Sequence, residues 1–479
     1  MNLALLPTNL VQKIWQTAEH FPDRTALVFS AQKEKISFGV LVQEANFHRH
    51  SLRQQGLKKG DRVLVLMPPQ KTLFIYLLAL FAEGLVPILL DPRLPRSQWQ
   101  LALKEAQPQA TLMPLSLRLL LGLQIFWNPP RFILLKKFNP QKYFDLPPVP
   151  INPTDESLVT LTSGTTGQAK MIVRNHAVLG AQQNLACALL PPLSKDLHLA
   201  GYPVSVLQSL VEGATTYPVA TKNLTIALSL LKSQSITRLS GPPGFIANLV
   251  EKLISQQQVL PTVENVLLGG APLPDWLLRK IYLTFPNAQV KVIYGATEAE
   301  PIAFTEAIDC FSELRPGYLV GTLLPEITLI KKPFPLKQEA QAFEVVLQGP
   351  HIAGNGPHST GDIAVFTDDH KLRLLGRKSE AFQGPEGLML PGYLESLLEK
   401  KIPQVRRTAI LFHHDTLFVF VETFSKTLPS QDLETQIKKN IELHWSGPLQ
   451  IRRLKEIPVD RRHQWKIDKI KLRTTQIDD

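Results

Sequence analysis

Short runs of almost purely apolar residues alternate with amphipathic segments near the start of this sequence. An amphipathic stretch at residues 39–55 is followed by a polar turn and by an apolar run at 62–67. The pattern repeats with a helix-like stretch at 73–83 that leads through Gly84 into a second apolar run at 86–90. Strands that are apolar on both faces are typical of a parallel sheet covered by helices. The sequence therefore predicts an α/β fold with parallel-rich sheets.

The alternation returns further along the chain and then ends. A proline-rich, basic stretch at residues 128–154 is typical of a surface connection. Three apolar, strand-like runs follow it, at residues 236–239, 263–268 and 290–293. Beyond Arg377 the pattern changes to a module of about a hundred residues, a common size for an independent domain. We expect a large, multi-subdomain α/β region at 1–376 and a small α+β domain at 377–479.

The chain carries a formal net charge of +11 at neutral pH. About half of this excess lies in residues 452–473, where nine basic residues stand against three acidic ones. Such a cluster can bind a polyanion, but it has no interleaved aromatic platform and no recognisable nucleic-acid motif. We therefore expect no nucleic-acid partner and interpret the cluster as a solvated face or as a surface that meets nucleotide phosphates. A basic polyanion-binding protein is the weaker hypothesis.

The cysteines and the apolar stretches bear on the cellular compartment and on membrane insertion. Cys187 and Cys310 stand far apart, without the spacing of a disulfide framework or a zinc site, and the N-terminus lacks the pattern of a secretory signal. A reducing, cytoplasmic setting is therefore expected. The most apolar stretch, residues 73–90, is broken by Glu83, a glycine and a proline, so we expect no transmembrane segment. We expect residues 115–127 to pack in the core. The alternative is that this apolar stretch lies on a lipid surface, so peripheral membrane contact is possible.

A β-prone run leads into a loop of hydroxyl residues and glycines that ends in a lysine. Residues 158–170 read LVTLTSGTTGQAK. Glycines allow backbone N–H groups to converge on anionic oxygens, hydroxyls add donors, and the lysine adds a positive charge. The spacing differs from that of the Walker loop, and a polar surface turn does not explain the hydroxyls and the lysine together. The segment predicts a polyphosphate site formed by Thr162, Ser163, Gly164, Thr165, Thr166, Gly167 and Lys170.

This loop resembles the signature of the adenylate-forming superfamily, which contains acyl-CoA synthetases, luciferases and peptide-synthetase adenylation domains. Further segments resemble motifs of that superfamily, in the same order along essentially the whole chain: GDRV at 60–63, GGAP at 269–272, YGATE at 294–298, STGD at 359–362 and GR at 376–377. The resemblance implies a large N-terminal region, a hinge and a small mobile C-terminal lid. It also implies ATP-dependent activation of a carboxylic acid as its acyl-AMP, with release of pyrophosphate.

The matched motifs imply roles for single residues. Asp362 would accept hydrogen bonds from ribose hydroxyls, and Arg377 would present its fork of donors to ribose or phosphate. Glu298 would bind Mg²⁺ and act in catalysis with Thr165, while Thr297 would donate to a phosphate oxygen. The other positions implied to contact ATP are Gly270, Ala271, Tyr294, Gly295 and Ala296. Each segment alone would equally fit a turn, a helix cap or a surface ion pair.

The last motif ends in a lysine, in the run PVDRRHQWK at residues 458–466. Alignment with the superfamily identifies Lys466 as its C-terminal catalytic lysine, which would offset negative charge that develops between the carboxylate and the α-phosphate. Lys469 and Lys471 are nearby rivals that do not keep the spacing to Pro458. Trp465 is a departure, because many members have glycine there.

Three features resemble the olefin-biosynthesis β-lactone synthetases, which adenylate long-chain β-hydroxy acids and close a lactone. They are VDRRH at 459–463, YGATEAEP at 294–301, and Glu386 and Gly387 followed by Pro391 and Glu395. In thioester-forming members a lysine and a glycine line the pantetheine path, and here Gln383 and Glu386 replace them. The resemblance therefore leaves the acceptor open between CoA, an acyl carrier protein and the β-hydroxyl of the substrate.

The acyl pocket is expected around residues 202–206 and the glycine turn. Its candidate residues are Tyr202, Val204, Ser205, Gly269, Gly270 and Ala299. Residues 202–206 lack a charged side chain that would pair with an amino-acid ammonium group, so a fatty or other apolar acid is the expected substrate. The alternative is a nucleotide-binding member whose catalysis has lapsed, because Ser379, Gln383 and Trp465 depart from the usual pattern.

Overall fold

The computed structural model describes residues 9–90, 96–114, 117, 131–142, 144–163, 169–191, 193–354, 356–385, 387–425, 430–460 and 464–477. The chain divides into two compact units. Unit 1 consists of Met1–Ser240, Thr297–Glu300 and Pro350–Asn355, and unit 2 consists of Gly241–Ala296, Pro301–Gly349 and Gly356–Asp479. The hinge expected near residue 376 concerns the C-terminal part of unit 2, and it stays a prediction.

The strands of unit 1 are β1 (Thr25–Phe29), β2 (Glu34–Ser37), β3 (Arg62–Val65), β4 (Val86–Leu89), β5 (Ala110–Leu112), β6 (Arg131–Phe132), β7 (Glu156–Ser163), β8 (Ala169–Asn175), β9 (Leu197–Ala200), β10 (Thr215–Pro218) and β11 (Arg238–Ser240). Its helices are α1 (Gln12–His20), α2 (Phe38–Gln54), α3 (Lys71–Ala82), α4 (Arg96–Ala106), α5 (His176–Leu189), α6 (Pro203–Val211) and α7 (Leu224–Ser233).

Two sets of strands form the sheets of unit 1. One has the order β6-β5-β3-β4-β7-β8, and its neighbours are parallel except at the antiparallel pair β7 and β8. The other has the order β11-β9-β10-β1-β2 and is parallel except at its β1–β2 edge. Helices α2 and α3 bury their apolar side chains in the main core of this unit. The predicted α/β fold with parallel-rich sheets is confirmed.

The apolar stretch at 73–90 folds as the sequence predicts, as helix α3, a turn and strand β4. Gly84 makes the turn at φ +68°, a left-handed conformation that glycine adopts without strain. Glu83 is buried beside Arg49, whose Nε lies 3.1 Å from its Oε2, and beside Arg53 at 2.5 Å. In the part of the chain that the structure describes, no helix is long and apolar enough to span a bilayer.

The strands of unit 2 are β12 (Asn265–Gly269), β13 (Gln289–Ala296), β14 (Ala299–Glu306, within the unit from Pro301), β15 (Tyr318–Leu323), β16 (Thr328–Pro333), β17 (Phe343–Gln348), β18 (His358–Phe366), β19 (Leu372–Arg377), β20 (Phe382–Gly384), β21 (Gly387–Met389), β22 (Val405–His413), β23 (Thr416–Thr423) and β24 (Leu449–Leu454). Its helices are α8 (Pro243–Ser255), α9 (Asp275–Thr284), α10 (Pro391–Lys401), α11 (Ser430–Ile441) and α12 (Lys469–Gln476).

Unit 2 combines parallel and antiparallel pairing. Strands β12 and β13 are parallel, whereas β14, β15, β19, β18, β17 and β16 follow one another in an antiparallel series. The C-terminal sheet pairs β22 with β23 antiparallel and β23 with β24 parallel. One buried cluster joins Ile363 and Leu375 on β18 and β19 to Leu394 on α10 and Val419 on β23. The antiparallel series had no counterpart in the sequence analysis.

Candidate active site

The predicted phosphate loop lies partly outside the described residues. Gly164, Thr165, Thr166 and Gly167 fall in the gap at 164–168, and only the backbone of Thr162 and Ser163 is described. The flanking strands β7 and β8 pair antiparallel, with Thr162 opposite Lys170 and Ser163 opposite Ala169. The loop therefore connects the ends of a hairpin in unit 1. The phosphate-binding and catalytic roles of these residues stay predictions.

Lys170 and Glu298 form an ion pair inside unit 1. The Nζ of Lys170 lies 2.8 Å from Oε1 of Glu298, and the two side chains are 58% and 16% exposed. The lysine end of the pair is therefore exposed to solvent, whereas the carboxylate end is largely buried.

Arg174 is a site residue that sequence reasoning missed. It lies on β8, is buried, and donates from Nη1 to Oγ1 of Thr160 at 3.0 Å and from Nη2 to the carbonyl oxygen of Thr297. Burial lowers the pKa of this guanidinium, and the charges of Glu300 and Glu298 oppose the shift. A guanidinium keeps its proton in proteins, so Arg174 fixes the backbone of the YGATE segment next to Glu298. Nothing in the sequence indicated this burial, because β8 also carries Lys170 and Asn175.

The predicted acyl-pocket residues of unit 1 lie around the start of helix α6. Tyr202 precedes the helix, Ser205 is buried, and Val204 is 45% exposed, which places these two neighbours on different faces. Burial raises the pKa of the Tyr202 phenol, and the charge of Glu300 raises it further. The hydroxyl is therefore protonated at neutral pH. Ala299 is fully buried at the start of β14.

Tyr294, Asp362 and Arg377 form a hydrogen-bonded group in unit 2, which we name the Asp362 cluster. Tyr294 donates its hydroxyl to Oδ2 of Asp362 at 2.6 Å, and the Nε of Arg377 lies 3.0 Å from Oδ1. Strands β18 and β19 hold the second pair, because Asp362 stands opposite Arg377 in their register. The cluster thus joins three of the motifs on which the sequence prediction rests.

Burial dominates the electrostatics of this cluster. Burial raises the pKa of Asp362, while Arg377, Tyr294 and the charge of Lys466 lower it, and the net shift is upward. Burial also raises the pKa of Tyr294 well above its usual range, and the charge of Asp362 adds to this shift. Tyr294 therefore keeps its proton at neutral pH and donates a hydrogen bond. The cations beside Asp362 favour the carboxylate form of Asp362.

The glycine turn follows strand β12 and lies beside the end of β13. A Cβ at Gly269 would meet the carbonyl oxygen of Ile293 at 2.1 Å, so only glycine allows the two backbones to approach this closely. Gly270 has φ +84° and open space where a side chain would be. Ala271 is half-buried, as are Gly295 and Ala296 at the end of β13. The carboxyl ends of these two parallel strands therefore bring both predicted ATP-contact segments together in unit 2.

Lys466, Lys469 and Lys471, the three candidates for the catalytic lysine, differ in exposure and ion pairing. Lys466 is exposed, and its charge opposes the upward shift that burial gives the pKa of Asp362, after the larger effects of Arg377 and Tyr294. Lys469 is held between two carboxylates, 2.6 Å from Glu380 and 2.9 Å from Glu395. Lys471 is exposed in helix α12. Lys469 is therefore committed to an ion network, and the catalytic role of Lys466 stays a prediction.

Comparisons with known proteins identify the family of this chain. A family model described as AMP-binding enzyme matches residues 14–353. The olefin β-lactone synthetase of Xanthomonas campestris pv. campestris is 24% identical over 97% of this chain and 96% of its own length. The mitochondrial medium-chain acyl-CoA ligase of Mus musculus is 22% identical over 85% of this chain and 77% of its own.

A solved structure shows the same fold. The amide bond synthetase McbA of Marinactinospora thermotolerans superimposes with a TM-score of 0.82 at 18% identity, over 97% of this chain and 99% of that one. The family match covers well over half of the chain, and the resemblance drawn from the motifs is confirmed. The chain therefore belongs to the AMP-binding enzyme family, as an acyl-adenylate-forming ligase.

Proposed function

We propose that the protein uses MgATP to activate a fatty or β-hydroxy fatty acid as its acyl-AMP, with the Asp362 cluster holding the ribose and Lys466 assisting phosphoryl transfer. One observation carries the proposal: Asp362 is fixed by Tyr294 and Arg377, and the charge of Lys466 reaches it. A buried carboxylate with donors on both oxygens and two nearby cations is suited to a polar, anionic ligand.

The Asp362 carboxylate has capacity for a ribose. Its two oxygens offer about four lone-pair positions. Tyr294 occupies one on Oδ2 and Arg377 occupies one on Oδ1. The remaining positions would accept hydrogen bonds from two ribose hydroxyls. The hydrogen bond from Tyr294 and the fork of Arg377 would hold the carboxylate in place for that contact.

Glu298 would bind Mg²⁺ together with the phosphates of ATP. Among the described residues no group of three or more His, Cys, Asp or Glu could hold a metal ion by itself. Mg²⁺ is commonly bound by one or two carboxylates plus substrate phosphates and water, so a single carboxylate fits this ion. The metal would supply charge neutralisation on the phosphates. Lys170, released from Glu298, would then pair with a phosphate oxygen.

The first half-reaction joins the acid to the α-phosphate. A carboxylate oxygen of the acid forms a bond to the α-phosphorus, the bond from that phosphorus to the bridging oxygen breaks, and pyrophosphate leaves with the electron pair. Negative charge grows on the α-phosphate oxygens in this step. The ammonium of Lys466 would offset that charge more strongly in the transition state than in the ground state.

For the second half-reaction, closure of a β-lactone is the first candidate. The β-hydroxyl oxygen would attack the acyl carbon, the bond to AMP would break, and the hydroxyl proton would leave with AMP or solvent. Support comes from the Xanthomonas relative, which is named an olefin β-lactone synthetase and matches this chain along nearly its whole length. Transfer to CoA or to an acyl carrier protein is the second candidate, because another relative is an acyl-CoA ligase.

A reducing, cytoplasmic setting suits this chemistry, since ATP and both acceptors are abundant there. Cys187 and Cys310 are free, and burial raises the pKa of each thiol to about 12, so neither is poised for oxidation. The stretch at 115–127, apart from residue 117, lies outside the described residues. Contact of that stretch with a membrane therefore stays a prediction.

The test is mass spectrometry of the products formed from ATP, Mg²⁺ and a panel of acids. The panel pairs each fatty acid with its 3-hydroxy analogue, with and without CoA. We expect AMP and acyl-AMP with both acids, and a lactone with the 3-hydroxy acids alone. An acyl-CoA product from both acids would identify the second candidate. Absence of AMP with every acid would contradict the proposal.

A further inference from the structure

Asp460 is hydrogen-bonded to residues 464–466, a short segment that we name the lysine turn. The backbone N–H of Asp460 donates to the carbonyl oxygen of Lys466 at 2.7 Å. The side chain of Asp460 accepts from the N–H of Trp465 at 3.3 Å and from the N–H of Lys466 at 3.0 Å. Val459 and Ile467 form an antiparallel bridge just outside the turn. The backbone of Lys466 is therefore fixed relative to Asp460.

Trp465 anchors this turn to the glycine-turn segment of unit 2. Its side chain is 7% exposed, and its indole Nε1–H donates to the carbonyl oxygen of Pro272 at 2.8 Å. Its ring centroid lies 5.9 Å from that of Trp276, and the guanidinium of Arg407 lies 4.9 Å from its centre on one face. Trp465, at a position where many relatives have glycine, therefore connects this turn to Pro272. Among the described contacts, no other joins the two.

The side chains of Trp465 and Lys466 lie in different environments. Trp465 is buried and Lys466 is exposed. The charge of Lys466 is one of the influences that oppose the upward shift of the Asp362 pKa caused by burial. Because Trp465 and Lys466 are neighbours in the chain, an anchor at Trp465 restricts the backbone from which the Lys466 side chain projects.

We propose that Trp465 is a positioning residue, which fixes the backbone of Lys466 by anchoring its turn to Pro272. The inference rests on the proposed function, in which Lys466 acts during adenylation. A lysine held in advance needs no reorganisation as charge develops. With glycine at this position, the lysine would depend on other contacts for its placement.

Two substitutions distinguish the contribution of the Trp465 N–H from that of the Trp465 ring. Trp465→Phe keeps an aromatic ring but removes the N–H that Pro272 accepts, and Trp465→Ala removes the ring as well. A matched control is Trp445→Phe, because Trp445 is also buried and donates its Nε1–H to a proline carbonyl, that of Pro448, at 3.0 Å. Trp445 belongs to the buried cluster of the same unit that contains Leu394 and Val419.

The primary readout is acid-dependent exchange of pyrophosphate into ATP. We expect kcat to fall roughly two- to tenfold in Trp465→Phe and about a hundredfold in Trp465→Ala, with KM for ATP nearly unchanged. Trp445→Phe should keep the wild-type kcat. Consumption of synthetic acyl-AMP should be unaffected in all three variants. Wild-type kcat in both Trp465 variants, an equal loss in Trp445→Phe, or a raised KM at constant kcat would overturn the proposal.

Hydrogen exchange gives a readout that does not depend on activity. The amides of Trp465 and Lys466 are bonded to Asp460, so their exchange rates report opening of the turn. We expect faster exchange in the peptide covering 459–468 for Trp465→Phe and no change for Trp445→Phe. Unchanged exchange would remove Trp465 as the anchor. If the wild type forms no acyl-AMP with any acid, the proposed function fails, and this measurement still decides whether Trp465 holds the turn.

Discussion

Tyr294 donates its hydroxyl to the carboxylate of Asp362 at 2.6 Å and so connects two motifs that lie 68 residues apart in the sequence. The bond is buried, and both groups have raised pKa values because of burial. The tyrosine therefore stays a donor throughout the physiological range, and it supports the carboxylate form of Asp362. This contact joins two short motifs into one hydrogen-bonded group.

The first prediction concerns nucleotide affinity. Asp362→Ala should weaken ATP binding, because hydrogen bonds to a charged group are each worth about 1.5–3 kcal/mol, or roughly ten- to a hundredfold in Kd. Tyr294→Phe should have a smaller effect at neutral pH and a larger one in acid, because the lost hydrogen bond no longer opposes protonation of Asp362. Calorimetric titration with ATP measures both. Wild-type affinity in Asp362→Ala would remove this residue from the site.

The second prediction separates two lysines. Lys466→Ala should lower kcat for adenylation by about 10²–10³ and leave the stability unchanged, because it removes an exposed side chain that acts on transition-state charge. Lys469→Ala should instead reduce the free energy of unfolding by about 3–5 kcal/mol, because Glu380 and Glu395 lose their shared cation. Pyrophosphate exchange and urea denaturation measure the two effects. The reverse pattern would identify Lys469 as the catalytic lysine.

The third prediction is a pH dependence of stability that comes from Glu399. Its carboxylate accepts from the hydroxyl of Tyr318 at 2.8 Å and from the backbone N–H of Thr408 at 3.0 Å. Burial raises the pKa of Glu399 from 4.5 to about 7. The folded state therefore favours the protonated form, and this contribution is full below pH 4.5 and is lost as the pH rises to about 7.

Replacement by glutamine tests this sign. Glu399→Gln should be more stable than the wild type at pH 8 and nearly equal to it at pH 5, so the two curves of unfolding free energy should diverge between those values. Glu434→Gln is a control, because Glu434 forms an exposed pair with Lys438. Parallel curves for the wild type and Glu399→Gln would show that Glu399 titrates normally in the folded protein.

The parallel strands were predictable because their signal is local. Runs such as β3 and β4 are apolar on both faces, and only a covered sheet satisfies them. The antiparallel series around β16 was not predicted, because that strand is largely exposed and carries no clear alternation. Glu83 interrupts an apolar run in the sequence, but in the fold it is paired with Arg49 and Arg53. Its partners lie on another helix, so local pattern could not reveal them.

The candidate site shows the same limit. The motifs predicted roles for Asp362, Arg377 and Lys466, because their order along the chain is characteristic of the superfamily; the structure brings Asp362 and Arg377 together, and the roles stay predictions. Arg174 was missed, because a lone arginine in a strand has no signal that distinguishes burial from exposure. In the sequence, Trp465 was only a departure from the lysine motif. Its contact with Pro272 was not predictable, because the two residues are 193 positions apart. The hinge near residue 376 stays a prediction.

Acid-dependent exchange of labelled pyrophosphate into ATP tests the central claim most directly, because a protein that only binds nucleotide cannot run the adenylation step in reverse. The account predicts exchange with fatty and 3-hydroxy fatty acids in the presence of Mg²⁺, its absence without acid, and its near loss in Lys466→Ala. ATP binding without acid-dependent exchange for every acid in the panel would contradict the account and would favour a nucleotide-binding protein whose catalysis has lapsed.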